Sequence, residues 1–276
     1  MGGGPSLLSK PWRDLAHTNE ENLDFMKSYH PRNKEVKNLR ILVHGPVGAG
    51  KSSFINSVES TLRGRVTGRV MTDSISGESF TTKYKTFKIQ KDPEGFYSFI
   101  FGDIMGLEST EKGVNIEDIK LALRGHVTEG YKFIPGKPLN EGDKDYISSP
   151  TLDDKVHALV CVIPAGSISL LTDEVVKKIR DVRLVASDMG IPQFAILTKV
   201  DEACPEVKKD ISNVYKSVYL KKQVDRFSHL HGIPPNCIFL VKNYQSEFTT
   251  NDDIDAQILS ALRQMVDHGE DFLNNL

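Results

Sequence analysis

The hydrophobic pattern becomes regular at Leu39. Leu39-Arg40-Ile41-Leu42-Val43-His44 is a short aliphatic run, and Phe54, Ile55, Val58 and Leu62 then recur at helical spacing across 51–62. This predicts a strand, a glycine-rich loop and a helix, in that order. Further strands are predicted at 84–90, 96–101, 156–164, 193–197 and 237–241. The last three are nearly continuous in apolar residues, as strands buried on both faces require. Helical patterns occupy about 114–125, 169–188, 207–225 and 253–268. Such alternation predicts a three-layer α/β fold, a mostly parallel sheet with helices on both faces. Lys91-Asp92-Pro93-Glu94-Gly95 is too short for a helix and rich in turn residues. The two strands that it joins are therefore predicted to pair as one antiparallel hairpin.

Two stretches stand outside this alternation. Residues 1–37 mix Pro, Gly, His and scattered charge with little periodicity and are predicted to form an N-terminal arm, with Trp12 beside Pro11 as its packing anchor. The domain proper is expected to span 38–276. Within it, Gly130, Pro135, Gly136, Pro138, Gly142 and Pro150 mark an insertion loop at about 126–152. The 276 residues are 39% hydrophobic and 26% charged, the composition of a chain with a packed core. A net charge of −2 lacks the basic bias of a dedicated nucleic-acid binder, so no direct nucleic-acid contact is expected. Cys161, Cys204 and Cys237 lie far apart with no CxxC pair, which points to a reducing, cytoplasmic setting. The pattern shows no bilayer-spanning apolar run, and no secretory leader is expected. Met1-Gly2-Gly3-Gly4-Pro5-Ser6 fits the acceptor pattern for myristate on Gly2, so membrane attachment is expected only if Gly2 is acylated. A plain glycine-rich start is the other reading. His126, His157, His229 and His231 show no metal-ligand spacing and are read as structural or surface residues.

The glycine-rich loop carries the chemistry. Gly45-Pro46-Val47-Gly48-Ala49-Gly50-Lys51-Ser52 matches G-x-x-x-x-G-K-[ST] between a strand and a helix, the context that the pattern demands. Glycines there let backbone N–H groups converge on phosphate oxygens, and the helix N-terminus adds its positive end. Gly45, Val47, Gly48, Ala49, Gly50 and Ser53 are expected to cradle phosphates, with Lys51 on the β- and γ-phosphates and the Ser52 hydroxyl on Mg²⁺. Strand 96–101 runs into Asp103-Ile104-Met105-Gly106. An acid there can hold the Mg²⁺ shell, and the N–H of Gly106 can approach a γ-phosphate. Thr198-Lys199-Val200-Asp201 follows the 193–197 strand and fits [NT]-K-x-D. The Asp201 carboxylate can accept the N1–H and exocyclic amine of guanine while the Lys199 stem covers the ring; adenine offers no matching donor pair.

These three motifs in this order resemble the Ras-like P-loop GTPase superfamily over about residues 38–268. The resemblance implies a switch threonine between the first helix and the hairpin. Thr81 and Thr82 both fit, and Thr82 is taken as the Mg²⁺ ligand that acts with Lys51 and Ser52. It also implies base contacts from Val241-Lys242-Asn243-Tyr244, which departs from the usual small residues; Lys242 and Asn243 are the candidates. The finer patterns G-P-V-G-A-G-K-S-S-F, G-D-I-M-G-L, G-H-V-x-E-G-Y-K-F, T-K-V-D and V-K-N-Y resemble the interferon-induced protein 44 family. That resemblance implies guanine-nucleotide binding and an innate antiviral role.

Two departures bear on rate. Leu107 stands where Ras-like enzymes place a water-orienting Gln, and Val47 occupies a loop position where a side chain crowds an arginine finger. The expectation is a slow Mg²⁺-dependent GTPase with GTP or GDP as ligand, its switch segments near 73–83 and 103–113. The alternative is a binding or scaffold module stabilised by GTP or GDP with negligible hydrolysis. Protein partners and a homodimer both remain open.

Overall fold

The computed structural model describes residues 6–68, 82–108 and 113–276. Aliphatic runs with no polar face form the middle of one sheet among them. Its strands are β1 (Leu39–His44), β2 (Lys85–Gln90), β3 (Phe96–Asp103), β4 (Ala158–Pro164), β5 (Gln193–Thr198) and β6 (Ile238–Leu240), in the order β2-β3-β1-β4-β5-β6. Only the β2–β3 hairpin is antiparallel. The helices are α1 (Asn19–Ser28), α2 (Lys51–Arg63), α3 (Ile116–Leu123), α4 (Asp173–Asp188), α5 (Val200–Ala203), α6 (Pro205–Lys209), α7 (Val218–His231) and α8 (Asp252–Asn274).

Alternation along the strands sends neighbouring side chains into two separate cores. Val160 and Val162 of β4 and Ile196 of β5 pack with α2 and α8, through residues such as Phe54, Ile258 and Leu262. Leu159, Cys161 and Ile163 pack on the other face with α3, α4 and α7, through Ile119, Ile179 and Phe227. The three-layer α/β architecture expected from the sequence is therefore present, and β1 with its following loop lies at its centre.

Three local expectations need correction. The helical pattern at 207–225 is broken: α6 ends at Lys209, Asp210 accepts the Ser212 N–H at 3.0 Å, and α7 starts only at Val218. The break is held from outside, because the Leu8 N–H donates to the Lys216 carbonyl at 2.8 Å and the Val218 N–H donates to the Ser6 carbonyl at 3.1 Å. Helix α4 begins at Asp173 rather than 169, where Thr172 accepts the Val175 N–H. Residues 19–28 are helical, started by reciprocal Thr18 and Glu21 hydrogen bonds. Helix α1 then packs on α8, where Glu270 accepts the Tyr29 hydroxyl at 2.8 Å and the Arg32 N–H at 3.1 Å. Trp12 meets Tyr215 edge-on at 5.1 Å, and the Arg13 guanidinium donates to the Ile238 and Pro235 carbonyls. Residues 126–151 form no helix or named strand, yet Val127, Tyr131, Phe133 and Leu139 are buried. Gly2, Thr81 and most of the 73–83 segment lie outside the described residues.

Several buried histidines tie the fold to pH. His157 precedes β4; its Nδ1 accepts the Arg40 N–H at 2.9 Å, and its Nε2 donates to the Leu152 carbonyl at 2.9 Å. A second proton on Nδ1 would displace the Arg40 donor, and burial holds the imidazole pKa down to about 4. Burial likewise lowers His44 to about 3 and His231 to about 4. An unfolded histidine titrates near about 6.5, so this contribution is complete above that pH and is lost progressively as the pH falls toward 4. Urea unfolding should therefore show lower stability at pH 5 than at pH 7, with about 2 kcal/mol of the loss due to His157. His157→Gln should remove that part of the slope; an unchanged slope would rule out a neutral native His157.

Candidate functional site

The loop after β1 is shaped by close backbone approach. At Gly45, φ is +143°, and a Cβ would lie 2.1 Å from the Val162 carbonyl oxygen of β4. Gly48 at φ +70° and Gly50 at φ +92° complete the turn into α2. The loop's carbonyls are then held one by one. Lys51 Nζ donates to those of Gly45 at 3.2 Å and Pro46 at 2.9 Å, the Thr198 hydroxyl to that of Ala49 at 2.6 Å, and Asn243 Nδ2 to that of Gly50 at 3.2 Å. First-turn N–H groups of a helix have no partner within the helix. Here that turn borders a pocket lined by Gly48, Gly50, Lys51, Ser52 and Ser53.

The segment after β3 is joined to this loop backbone to backbone. Asp103 ends β3 almost fully buried, and its carboxylate accepts the Ser52 hydroxyl at 2.7 Å. The Leu107 N–H donates to the Gly45 carbonyl at 2.9 Å, and Pro46 and Leu107 form a parallel bridge. Gly106 has no room for a side chain, since a Cβ would meet Val47 Cγ2 at 2.5 Å and Val47 N at 2.8 Å. Val47 thus packs on Gly106. The Leu107 side chain is 1% exposed and belongs to the core with Ile104 and Val114. The next carbonyl, of Glu108, accepts from Lys178 Nζ of α4 at 2.6 Å.

The third wall comes from the loop after β5. Lys199 has φ +56°, in the left-handed region and unlike every other non-glycine among the described residues. This turn follows Thr198, which is anchored on Ala49, and starts α5 at once. Lys199, Asp201 and Glu202 consequently share one pocket with the loop residues and with Asn243 and Gln245.

No protein-family model matches the chain. Among curated proteins, it is 34% identical to interferon-induced protein 44 of Pan troglodytes and 33% identical to that of Homo sapiens, each over 272 residues and 98% of this chain. It is 36% identical to interferon-induced protein 44-like of Homo sapiens over 254 residues, 91% of this chain. The chain is a homologue of interferon-induced protein 44. It spans about three-fifths of those relatives' length: 61%, 61% and 56%. Among solved structures, it is similar to Toc33 from Arabidopsis thaliana in complex with Mg²⁺ and GMPPNP, at 15% identity and a TM-score of 0.48, with 92% of each chain covered. A probable GTP-binding protein engB aligns at 10% identity and a TM-score of 0.45, covering 86% of this chain and 99% of its own.

In this interferon-induced protein 44 homologue, residues of the phosphate loop share one cavity with Lys199 and Asp201, whereas Asp103 and Gly106 do not line it and Asp103 is joined to it through Ser52. Lys242 turns away: its N–H donates to Gln257 Oε1 at 3.0 Å and its ammonium pairs with Glu247. Although burial opposes ionisation of Glu247, Lys242 and nearby backbone N–H groups hold its carboxyl well below the usual range. Thr82 is exposed, and its carbonyl accepts the Phe133 N–H at 3.0 Å. Among the described residues, no hydrogen bond joins Thr82 to Ser52 or Asp103. Glu202 and Gln245 line the pocket without having been expected. The available sequence signals were adjacency to Asp201 and a two-residue spacing from Asn243.

Proposed function

We propose that this chain binds guanine nucleotides in the pocket between the phosphate loop and Thr198-Lys199-Val200-Asp201, and turns GTP over slowly as a Mg²⁺-dependent switch in the interferon response. The observation that carries this reading is that Lys199 and Asp201 share one cavity with Gly48, Gly50, Lys51 and Ser52. A base held by Asp201 and phosphates held by the first turn of α2 therefore belong to one molecule. Asp201 accepts the two guanine donors, and Lys199 lies along the ring. Lys51 supplies the charge that balances phosphate, and the first-turn amides of α2 orient it. Ser52 and Asp103 offer a hydroxyl and a carboxylate already 2.7 Å apart, a hard oxygen pair suited to Mg²⁺, which when bound would neutralise charge on the β- and γ-phosphates. The names of the relatives support the place in the interferon response. The free cysteines Cys161, Cys204 and Cys237 are compatible with the cytoplasm.

Slow turnover follows from the residue after Gly106. Leu107 is sunk in the core, has no polar group to orient water, and its backbone is fixed on Gly45. This observation also supports the second reading, in which bound GTP or GDP stabilises a docking module and hydrolysis has no role. Single-turnover hydrolysis is expected at or below about 10⁻³ s⁻¹. A rate above about 0.1 s⁻¹ that disappears in Lys51→Ala would contradict the assignment of Leu107. For the base, Asp201→Asn should weaken GTP and strengthen xanthosine triphosphate, shifting their ratio by about tenfold or more, because an amide donor faces the xanthine oxygen. An unchanged ratio would remove Asp201 from the base site.

A further inference from the structure

The 126–147 stretch bonds both to the segment that leads into β2 and to α3. On one side it pairs with residues 82–84, just before β2. The Phe133 N–H donates to the Thr82 carbonyl at 3.0 Å, the Tyr84 N–H donates to the Tyr131 carbonyl at 2.8 Å, and the Gly130 N–H returns to the Tyr84 carbonyl at 2.9 Å. Lys83 and Lys132 form the antiparallel bridge between these bonds. On the other side it is tied to α3, the helix that follows Asp103-Ile104-Met105-Gly106. Asp118 of α3 is 0% exposed, and its carboxylate accepts the Leu139 N–H at 2.7 Å and the Tyr131 hydroxyl at 3.3 Å. One residue, Tyr131, therefore holds Tyr84 through its backbone and Asp118 through its side chain. Its ring and the side chains of Phe133 and Leu139 lie in the same core as Leu107, Val114 and Ile119.

A loop that only filled space would need none of these directed bonds. Asp118 is a carboxylate removed from water, and such a group is retained only with its partners in place. Those partners come from a segment absent from the repeating strand–helix plan of the fold. Because α3 leads back through Val114, whose N–H donates to the Gly106 carbonyl at 3.2 Å, to the loop around Lys51, the bonds form a continuous path from the phosphate loop to Thr82.

We propose that the 126–147 insertion is a strap coupling the start of β2 to α3, with Asp118 and Tyr131 as positioning residues, so that γ-phosphate occupancy moves both segments as one unit. This rests on the guanine-nucleotide reading given above. Tyr131 does not line the pocket, so removing its hydroxyl cuts the direct link between Tyr84 and Asp118 while leaving the Leu139 bond and the cradle in place. The test compares hydrogen exchange of peptides covering 82–86 and 116–123 in the parent, Tyr131→Phe and Asp118→Asn, each with GDP or a non-hydrolysable GTP analogue plus Mg²⁺. In the parent, exchanging GDP for the analogue should change protection of both peptides together. In Tyr131→Phe the change at 82–86 should be lost while that at 116–123 persists, GDP affinity staying within about twofold and the analogue-to-GDP preference falling about fivefold or more. Asp118→Asn, whose amide oxygen still accepts the Leu139 N–H and whose amide N–H can donate to the Tyr131 hydroxyl oxygen, should respond as the parent does; if it fails to fold, Tyr131→Phe decides alone. A parent that binds both nucleotides and a Tyr131→Phe protein that responds as the parent does would overturn the strap while leaving the nucleotide reading intact. A parent that binds neither nucleotide would overturn both.

Discussion

Because the Val162 carbonyl occupies the space that a side chain at position 45 would need, the chain can leave β1 toward α2 only through a glycine at φ +143°. Everything in the candidate site is registered against that turn. It sets where Gly48, Gly50 and the first turn of α2 lie, and it presents the Gly45 carbonyl to two donors at once, Lys51 Nζ and the Leu107 N–H. The loop is thereby held in place by its own surroundings. Its shape is fixed by β4 behind it, by Thr198 and Asn243 beside it and by Gly106 against Val47.

Such a loop is stabilised by directed bonds more than by burial. Each neutral hydrogen bond contributes about 1 kcal/mol net, but a buried acceptor left without its donor costs about 1–3 kcal/mol. Replacing Thr198 or Asn243 would expose the Ala49 or Gly50 carbonyl to that penalty within a site that must keep its amides aimed outward. The same logic explains the Ser52–Asp103 pair, where a nearly inaccessible carboxylate is retained at the end of a central strand with a hydroxyl at 2.7 Å. In the proposed function, this carboxylate and hydroxyl are the pair that would hold Mg²⁺.

How much of this the sequence disclosed depended on whether the deciding contact was local. Continuous apolar runs marked β4 and β5 because a strand covered on both faces has no polar side to show, and Gly45 to Ser52 could be read because the loop's requirement is written in its own glycines. Helix α7 was misplaced because its start is set by Ser6 and Leu8, more than two hundred residues away in sequence. Helix α1 carried a legible start in Thr18 and Glu21, but its buried face was too narrow to show periodicity. Lys242 looked like a base contact in a loop of the right position; Glu247, five residues on, captures its charge. The role of 126–147 was hidden for the same reason as α7, since an irregular loop shows no pattern from which its pairing with residues 82–84 could be inferred.

The central claim is that this preformed loop and Asp201 together select a guanine nucleotide. Competition for a fluorescent GDP derivative on the unmodified chain, with GDP and ADP as competitors in Mg²⁺ buffer, tests it most directly. GDP should displace the probe at a concentration at least about a hundredfold below that needed for ADP, since adenine leaves the Asp201 carboxylate without its donors. Equal displacement by the two, or no saturable binding of the probe, would contradict the account.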